Sequence, residues 1–260
     1  MAKIISIHSF RGGTGKSNVT ANLAMLLAQS GRRVGVVDTD LQSPGLHVLF
    51  GLEEEQYTLN EYLWGKCAIK QTAHDVTSKL KTEIAGKVYL IPASSKTGEI
   101  ARILREGYDV GLLKDGLRRL IQELQLDALL IDTHPGLNEE TLLSLAVSDA
   151  LVVLLRPDQQ DYQGTSVTVE VARRLKVPKL WLLINQAPAT IDPDVVKSFA
   201  EQTYGAEVVA VLRHSDEMLS LASAGIFALR YPEHPLAIKL KQVAARLAAE
   251  QTRSATDGFR

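Results

Sequence analysis

The stretch from residue 10 to residue 17, Phe-Arg-Gly-Gly-Thr-Gly-Lys-Ser, combines the groups needed to grip an anion. Gly12, Gly13 and Gly15 let the main chain turn tightly and aim successive N–H groups into one concavity. Lys16 adds a compact positive charge suited to β- and γ-phosphate oxygens, and Ser17 can offer its hydroxyl to Mg2+. Before the loop, Lys3–His8 is a β-branched run that reads as a strand buried on both faces of a parallel sheet. After it, Val19, Leu23, Leu26 and Leu27 recur at helical spacing, so a helix N-terminus lends its partial positive charge to the same anion. The chemistry implied is the binding of a nucleotide. Asp38 closes the apolar run Arg33–Asp38, and Asp40 follows two residues later, which puts two carboxylates at the sheet edge beside the phosphate loop. Phosphoryl transfer needs positioning and charge neutralisation, and a carboxylate can hold a water in line with the leaving oxygen.

Those groups need a scaffold, and its period is visible. Strands are expected at Lys3–His8, Arg33–Asp38, Val88–Ile91, Ala128–Asp132, Ala150–Leu155, Leu180–Asn185 and Glu207–Leu212, with helices at Ser17–Ser30, Gly111–Leu124, Glu139–Leu145, Gln163–Leu175, Asp194–Tyr204 and Pro235–Glu250. Gly31 and Gly205 read as helix C-caps and Pro193 as a first-turn proline. The alternation implies right-handed crossovers and an α/β fold: a doubly wound, mostly parallel sheet with helices on both faces. Residues 1–250 are expected to form a single domain and 251–260 a polar tail. Glu53–Gly86 breaks the alternation and reads as an irregular insertion on the rim, with a short helix at Leu59–Trp64.

Composition narrows the class. The 260 residues are 45% hydrophobic with a formal net charge of −1, so no global basicity announces nucleic acid and no acidic excess announces disorder. The single cysteine, Cys67, excludes an internal disulfide and any cluster needing several thiolates from one chain. No apolar stretch approaches the ~18 residues of a membrane span, and the N-terminal strand shows no signal-peptide pattern. A cytoplasmic protein is expected.

The loop departs from the ordinary eight-residue Walker sequence, because Phe10 stands where a glycine is expected. It resembles instead the deviant Walker A loop of the MinD/ParA family of ATPases, with Arg11 at the place of that family's signature lysine. The resemblance implies that Arg11, Gly12, Gly13, Thr14, Gly15, Lys16, Ser17 and Asn18 cradle ATP or ADP, and that Arg11 reaches a partner subunit's nucleotide in an ATP-sandwich homodimer. Asp38 matches the residue that helps hold the Mg2+ shell, Asp40 the one that orients the attacking water, and Asp132 the Walker B carboxylate that reaches Mg2+ through water. Asp132-Thr133-His134-Pro135-Gly136 resembles the family's switch II, with Gly136 placed to offer its N–H to the γ-phosphate and with His134 as an unusual insertion before the proline. Asn185, an amide ending an apolar strand, matches the residue that pairs with the adenine edge, and Arg213 matches a base-pocket position. Arg156-Pro157-Asp158 matches a dimer-facing loop.

As a family member, the chain is expected to be an ATP-dependent dimerisation switch that positions or partitions a cargo, with slow hydrolysis stimulated by an activating or adaptor protein near the switch loops. A non-hydrolysing scaffold, in which Arg11 clamps ATP permanently to hold a partner-recruiting dimer, stands as the alternative. Direct membrane binding is disfavoured, because the C-terminal tail carries one Phe and the Leu236, Leu240, Val243 and Leu247 stripe is suited to packing on the sheet. Non-specific DNA stays open as a partner through Arg173, Arg174, Lys176, Lys179, Lys239, Lys241 and Arg246.

Overall fold

The β-branched and leucine-rich runs fold as strands because they are apolar on both faces, and only a sheet covered on both sides hides them. In the computed structural model, which describes residues 2–52, 57–80 and 82–249, the strands are β1 (Lys3–His8), β2 (Arg33–Asp38), β3 (His74–Asp75), β4 (Lys87–Ile91), β5 (Ala128–Asp132), β6 (Ala150–Leu155), β7 (Lys179–Ala187) and β8 (Glu207–Arg213). They form one sheet in the order β3-β4-β2-β5-β1-β6-β7-β8. All pairs are parallel except β3 with β4. Because β1 lies between β5 and β6, the phosphate loop leaves from the middle of the sheet. Asp38 pairs in register with Asp132, so both carboxylates emerge at one level of the carboxyl edge.

The helices are α1 (Lys16–Gln29), α2 (Leu46–Leu49), α3 (Leu59–Leu63), α4 (Thr97–Glu106), α5 (Val110–Leu124), α6 (Glu139–Val147), α7 (Gln159–Arg174), α8 (Pro193–Tyr204), α9 (Asp216–Leu221), α10 (Phe227–Arg230) and α11 (Pro235–Ala249). On one face α1 packs with α10 and α11 over Ile5, Ile7, Val34, Val36 and Trp181. Helix α1 is therefore buried nearly all round, from Val19 to Ala28. The stripe Leu236, Leu240, Val243 and Leu247 faces this core, packing α11 on α1 and β8. On the other face α3 and α5 cover Val37, Ile91 and Ile131, while α7 and α8 cover Leu151, Val153 and Ile184.

Besides the short helices α2, α9 and α10, three features depart from the pattern read in the sequence. The rim segment is not wholly irregular: His74–Asp75 adds an antiparallel edge strand, with Val76 fully buried beside it. Helix α4, between Ser94 and α5, was not expected, although Ile100, Ile103 and Leu104 fall at the i, i+3, i+4 spacing of a helix face; only Ile103 is buried. Helix α7 starts four residues earlier than its apolar spacing predicts, because the Asp158 carboxylate caps it by accepting from the Asp161 N–H at 3.0 Å. Gly205 takes the left-handed conformation at φ +56° that a C-cap requires. The tail 251–260 lies outside the described residues, and no helix among those described is long and apolar enough to cross a membrane.

Candidate active site

The phosphate loop is held from outside by the end of β7. Asn185 donates its Nδ2 to the Thr14 carbonyl at 2.8 Å, and Gln186 donates Nε2 to the Gly13 carbonyl at 3.2 Å. Gly15 must be glycine on two counts: its φ is +86°, and a Cβ there would lie 2.6 Å from Asn185 Nδ2. With its carbonyls tied back to β7, the loop turns its N–H groups toward the opposite side, where an anion would lie. Phe10 docks the start of the loop on α7, filling the space above Gly164, where a Cβ would approach its ring to 2.2 Å.

Inside the loop lies a buried ion pair. Lys16 Nζ is 3.1 Å from Asp132 Oδ1, with side-chain exposures of 8% and 0%. Thr20 Oγ1 donates to the same Oδ1 at 3.0 Å, while Asp132 Oδ2 is buried without a hydrogen-bond partner. Thr20 was not singled out in the sequence; its position one helical turn after Lys16 is the signal that finds it. Asp38 is fully buried: Oδ1 accepts from the Asp40 N–H at 3.1 Å, and Oδ2 accepts from Gly45 at 3.1 Å and Leu46 at 3.2 Å. Burial, and then the neighbouring Asp132 charge, push the Asp38 carboxyl up to about 7 against these bonds. Asp38 therefore fixes the fold of the segment that carries Asp40. The Asp40 carboxyl is also raised by burial, with Lys16 opposing, and its Oδ1 accepts from the Ser43 N–H at 3.0 Å.

Two cavities flank the loop. One, of about 310 Å3, is the more polar of the two and is lined by Gly12, Gly13, Lys16, Ser17, Asp40 and His134 among others. The other, of about 290 Å3, is more apolar and includes Asn185, Asn22, Leu212, Arg213, Met218 and Leu240. Gly15 and Asn18 line both, so the two are neighbours across the start of α1. Thr14 Oγ1 and Asn18 Oδ1 are buried there without a hydrogen-bond partner; Asp132 Oδ2, on the carboxylate paired with Lys16, also has none. A polar cradle beside a less polar slot, lined by unsatisfied polar atoms, fits a nucleoside triphosphate with its metal: phosphates in the first and base in the second. The described residues hold no cluster of three or more His, Cys, Asp or Glu suited to a metal on its own.

Some expected groups are engaged elsewhere. Arg11 Nη1 lies 3.5 Å from Asp158 Oδ1 and 3.4 Å from Asp161 Oδ1, at the start of α7 in its own chain. Arg156 shares both carboxylates, at 3.4 and 3.1 Å. The Gly136 N–H, at a φ of +86°, donates to the Ser9 carbonyl at 3.3 Å. Arg213 lines the second cavity but commits its Nη1 to the carbonyls of Pro188, Ala189 and Ile191 at 3.0 to 3.1 Å, pinning the loop after β7. The basic residues of the C-terminal part are also bound locally: Arg173 donates to the Tyr204 and Gly205 carbonyls, Arg174 pairs with Glu170, and Arg246 and Lys179 share Glu207.

A parallel sheet whose central strand feeds a glycine-rich loop and a helix, with carboxylates on the flanking strand ends, defines a P-loop nucleotide-binding protein. The AAA domain family matches residues 2–180. An uncharacterised ATP-binding protein of Methanocaldococcus jannaschii is 28% identical over 248 residues, covering 95% of this chain and 88% of that protein. The septum site-determining protein MinD of Bacillus subtilis is 25% identical, covering 96% and 90%, and the flagellum site-determining protein YlxH of Helicobacter pylori is 30% identical, covering 70% and 58%. Among solved structures, the MinD of Pyrococcus horikoshii complexed with Mg-ADP shares the fold at a TM-score of 0.79 and 23% identity, covering 95% of this chain and 96% of that one. The chain belongs to the MinD/ParA family of P-loop ATPases.

Proposed function

We propose that this protein is an ATP-hydrolysing switch that dimerises on ATP and releases on hydrolysis, and that it positions a cargo in the cytoplasm. The observation that carries the reading is the buried Lys16–Asp132 pair at 3.1 Å, whose lysine lines the polar cavity and whose Asp132 Oδ2 is left unsatisfied. A lysine poised in this way exchanges a carboxylate for phosphate oxygens when a triphosphate enters, because both are anions within reach of the same ammonium.

Ser17, Asp38 and Asp132 are the residues that would hold Mg2+, Ser17 by its hydroxyl and the carboxylates by way of water. The metal supplies charge neutralisation on the phosphate oxygens. The chain's own residues do the rest. The N–H groups from Gly12 to Ser17, with Asn18 beside them, bind and orient the phosphates, and Lys16 balances their charge. Asp40, anchored through Ser43, accepts a hydrogen from the attacking water. Asn185, with Nδ2 committed to Thr14, presents its Oδ1 to the base, an acceptor matched to adenine's amino group.

The relatives that determine septum and flagellum sites support a positioning role, and Arg11 at the loop's outer edge supports a dimer in which it reaches the partner's nucleotide. Phosphate release and sedimentation with MgATP test the reading. Expected are tight ATP binding, slow turnover that an adaptor accelerates, and an ATP-dependent dimer that Asp40→Ala traps. ATP binding without any phosphate release favours the scaffold alternative instead.

A further inference from the structure

His134 stands before Pro135 in switch II, where its family's pattern has no imidazole, and none of the roles above uses it. The side chain lines the same polar cavity as Lys16, Ser17 and Asp40. Its Nδ1 lies 2.6 Å from the Pro135 carbonyl, and a carbonyl only accepts, so Nδ1 carries the proton. In the tautomer with that single ring proton, Nε2 presents a lone pair. That Nε2 is 3.8 Å from Asp40 Oδ1, too far for a direct hydrogen bond.

Two acceptors at this separation suit one water between them. A water placed about 2.8 Å from each sees the two acceptors about 85° apart, so it can donate one hydrogen to each through slightly bent bonds, which leaves its lone pairs facing away from both. A single carboxylate holds one hydrogen and lets the water swing about that bond; a second acceptor fixes its orientation. We infer that His134 is a catalytic residue that, together with Asp40, holds the attacking water in ATP hydrolysis. This rests on the ATPase reading given above.

In the step, the water oxygen forms a bond to the γ-phosphorus as the bond to the bridging oxygen breaks. The electron pair of the broken bond leaves on ADP. The product is dihydrogen phosphate, which gives its excess proton to solvent, and neither side chain needs to change its charge.

His134→Asn and His134→Gln separate this role from a structural one. The shorter amide reaches the place of Nδ1 and can keep the bond to Pro135, but leaves nothing near Asp40; the longer one carries an acceptor to the place of Nε2. Single-turnover phosphate release and MgATP titration on the full chain are the readouts. The expected result is about a 100-fold loss of turnover in His134→Asn, with ATP affinity within twofold of the parent, and recovery of most of that loss in His134→Gln. Turnover in His134→Asn within threefold of the parent overturns the role, as does equal loss in both variants or loss accompanied by weaker ATP binding. A parent that hydrolyses ATP, stalls on Asp40→Asn and keeps its rate in His134→Asn defeats this role alone. A parent that binds ATP and releases no phosphate defeats the ATPase reading with it.

Discussion

Lys16 and Asp132 meet across the first turn of α1 and the end of β5, nitrogen to oxygen at 3.1 Å, both nearly sealed from solvent. An ion pair so placed stabilises the fold only while both members are present, because either charge alone is left buried. Lys16→Ala should therefore lose MgATP binding in calorimetry and also lower stability in urea without nucleotide by about 3 kcal/mol. Adding Asp132→Asn should restore most of that stability and none of the binding. Full stability in Lys16→Ala alone would show the pair to be inert.

Asn185 should choose the base. With Nδ2 committed to the Thr14 carbonyl, its remaining oxygen meets the amino group of adenine but opposes the carbonyl of guanine. We expect ATP to bind at least about tenfold more tightly than GTP, the cost of one unpaired buried polar group being about 1–3 kcal/mol. Equal affinities in a competition titration would remove Asn185 from base recognition.

Arg11 is held in its own chain by Asp158 and Asp161, and it has to leave them to reach a partner's nucleotide. Asp158→Asn keeps a capping oxygen for α7 while removing one charge from this site. The ATP-dependent dimer should form at a several-fold lower protein concentration in that variant, as read by sedimentation. A weaker dimer would mean that Asp158 serves the assembled state.

His8 ties stability to pH. Thr133 donates its hydroxyl to the Ile7 carbonyl at 3.1 Å, so it accepts from His8 Nδ1 at 2.8 Å, and His8 Nε2 is buried without a partner. Burial, with help from the Lys16 charge, lowers the imidazole from 6.5 to about 3. Above pH 6.5 both folded and unfolded chains hold it neutral and there is no penalty. As pH falls from 6.5 toward 3, only the unfolded chain takes up the proton, so folding loses up to about 1.4 kcal/mol per pH unit from this group. Urea midpoints at pH 7 and 5.5 should differ in that direction, and His8→Gln should reduce the difference.

Gly164→Ala should disturb the loop from a distance. The new methyl would meet Phe10 ring carbons at 2.2 Å, and the ring cannot retreat without moving the residue next to Arg11. Overpacking of this kind costs about 1–3 kcal/mol, more than the roughly 1 kcal/mol that alanine adds to a helix. Thermal melts should fall, and ATP affinity should fall with them.

Much of this was legible from local pattern. The glycine-lysine-serine loop, the β-branched run before it and the 3.6-residue spacing after it specify strand, turn and helix by short-range sterics alone. Asp38 and Asp132 could be placed at the sheet edge because each closes an apolar run, and the sheet aligns them in register. The edge strand β3 was not legible, because two polar residues leave no alternation to read; helix α4 did leave a trace, Ile100, Ile103 and Leu104 at helical spacing, which the reading of the sequence passed over.

What the sequence determined by itself is the identity of the groups and the element that ends in each of them, since propensity and periodicity act over a few residues. Which groups meet was decided by the tertiary structure. Lys16 finds Asp132 across 116 positions, Asn185 finds the Thr14 carbonyl across 171, and Arg11 turns to Asp161 across 150. The order β5-β1-β6-β7 sets all three, because strand neighbours are chosen by how the whole sheet buries its two faces, and no local spacing encodes that choice.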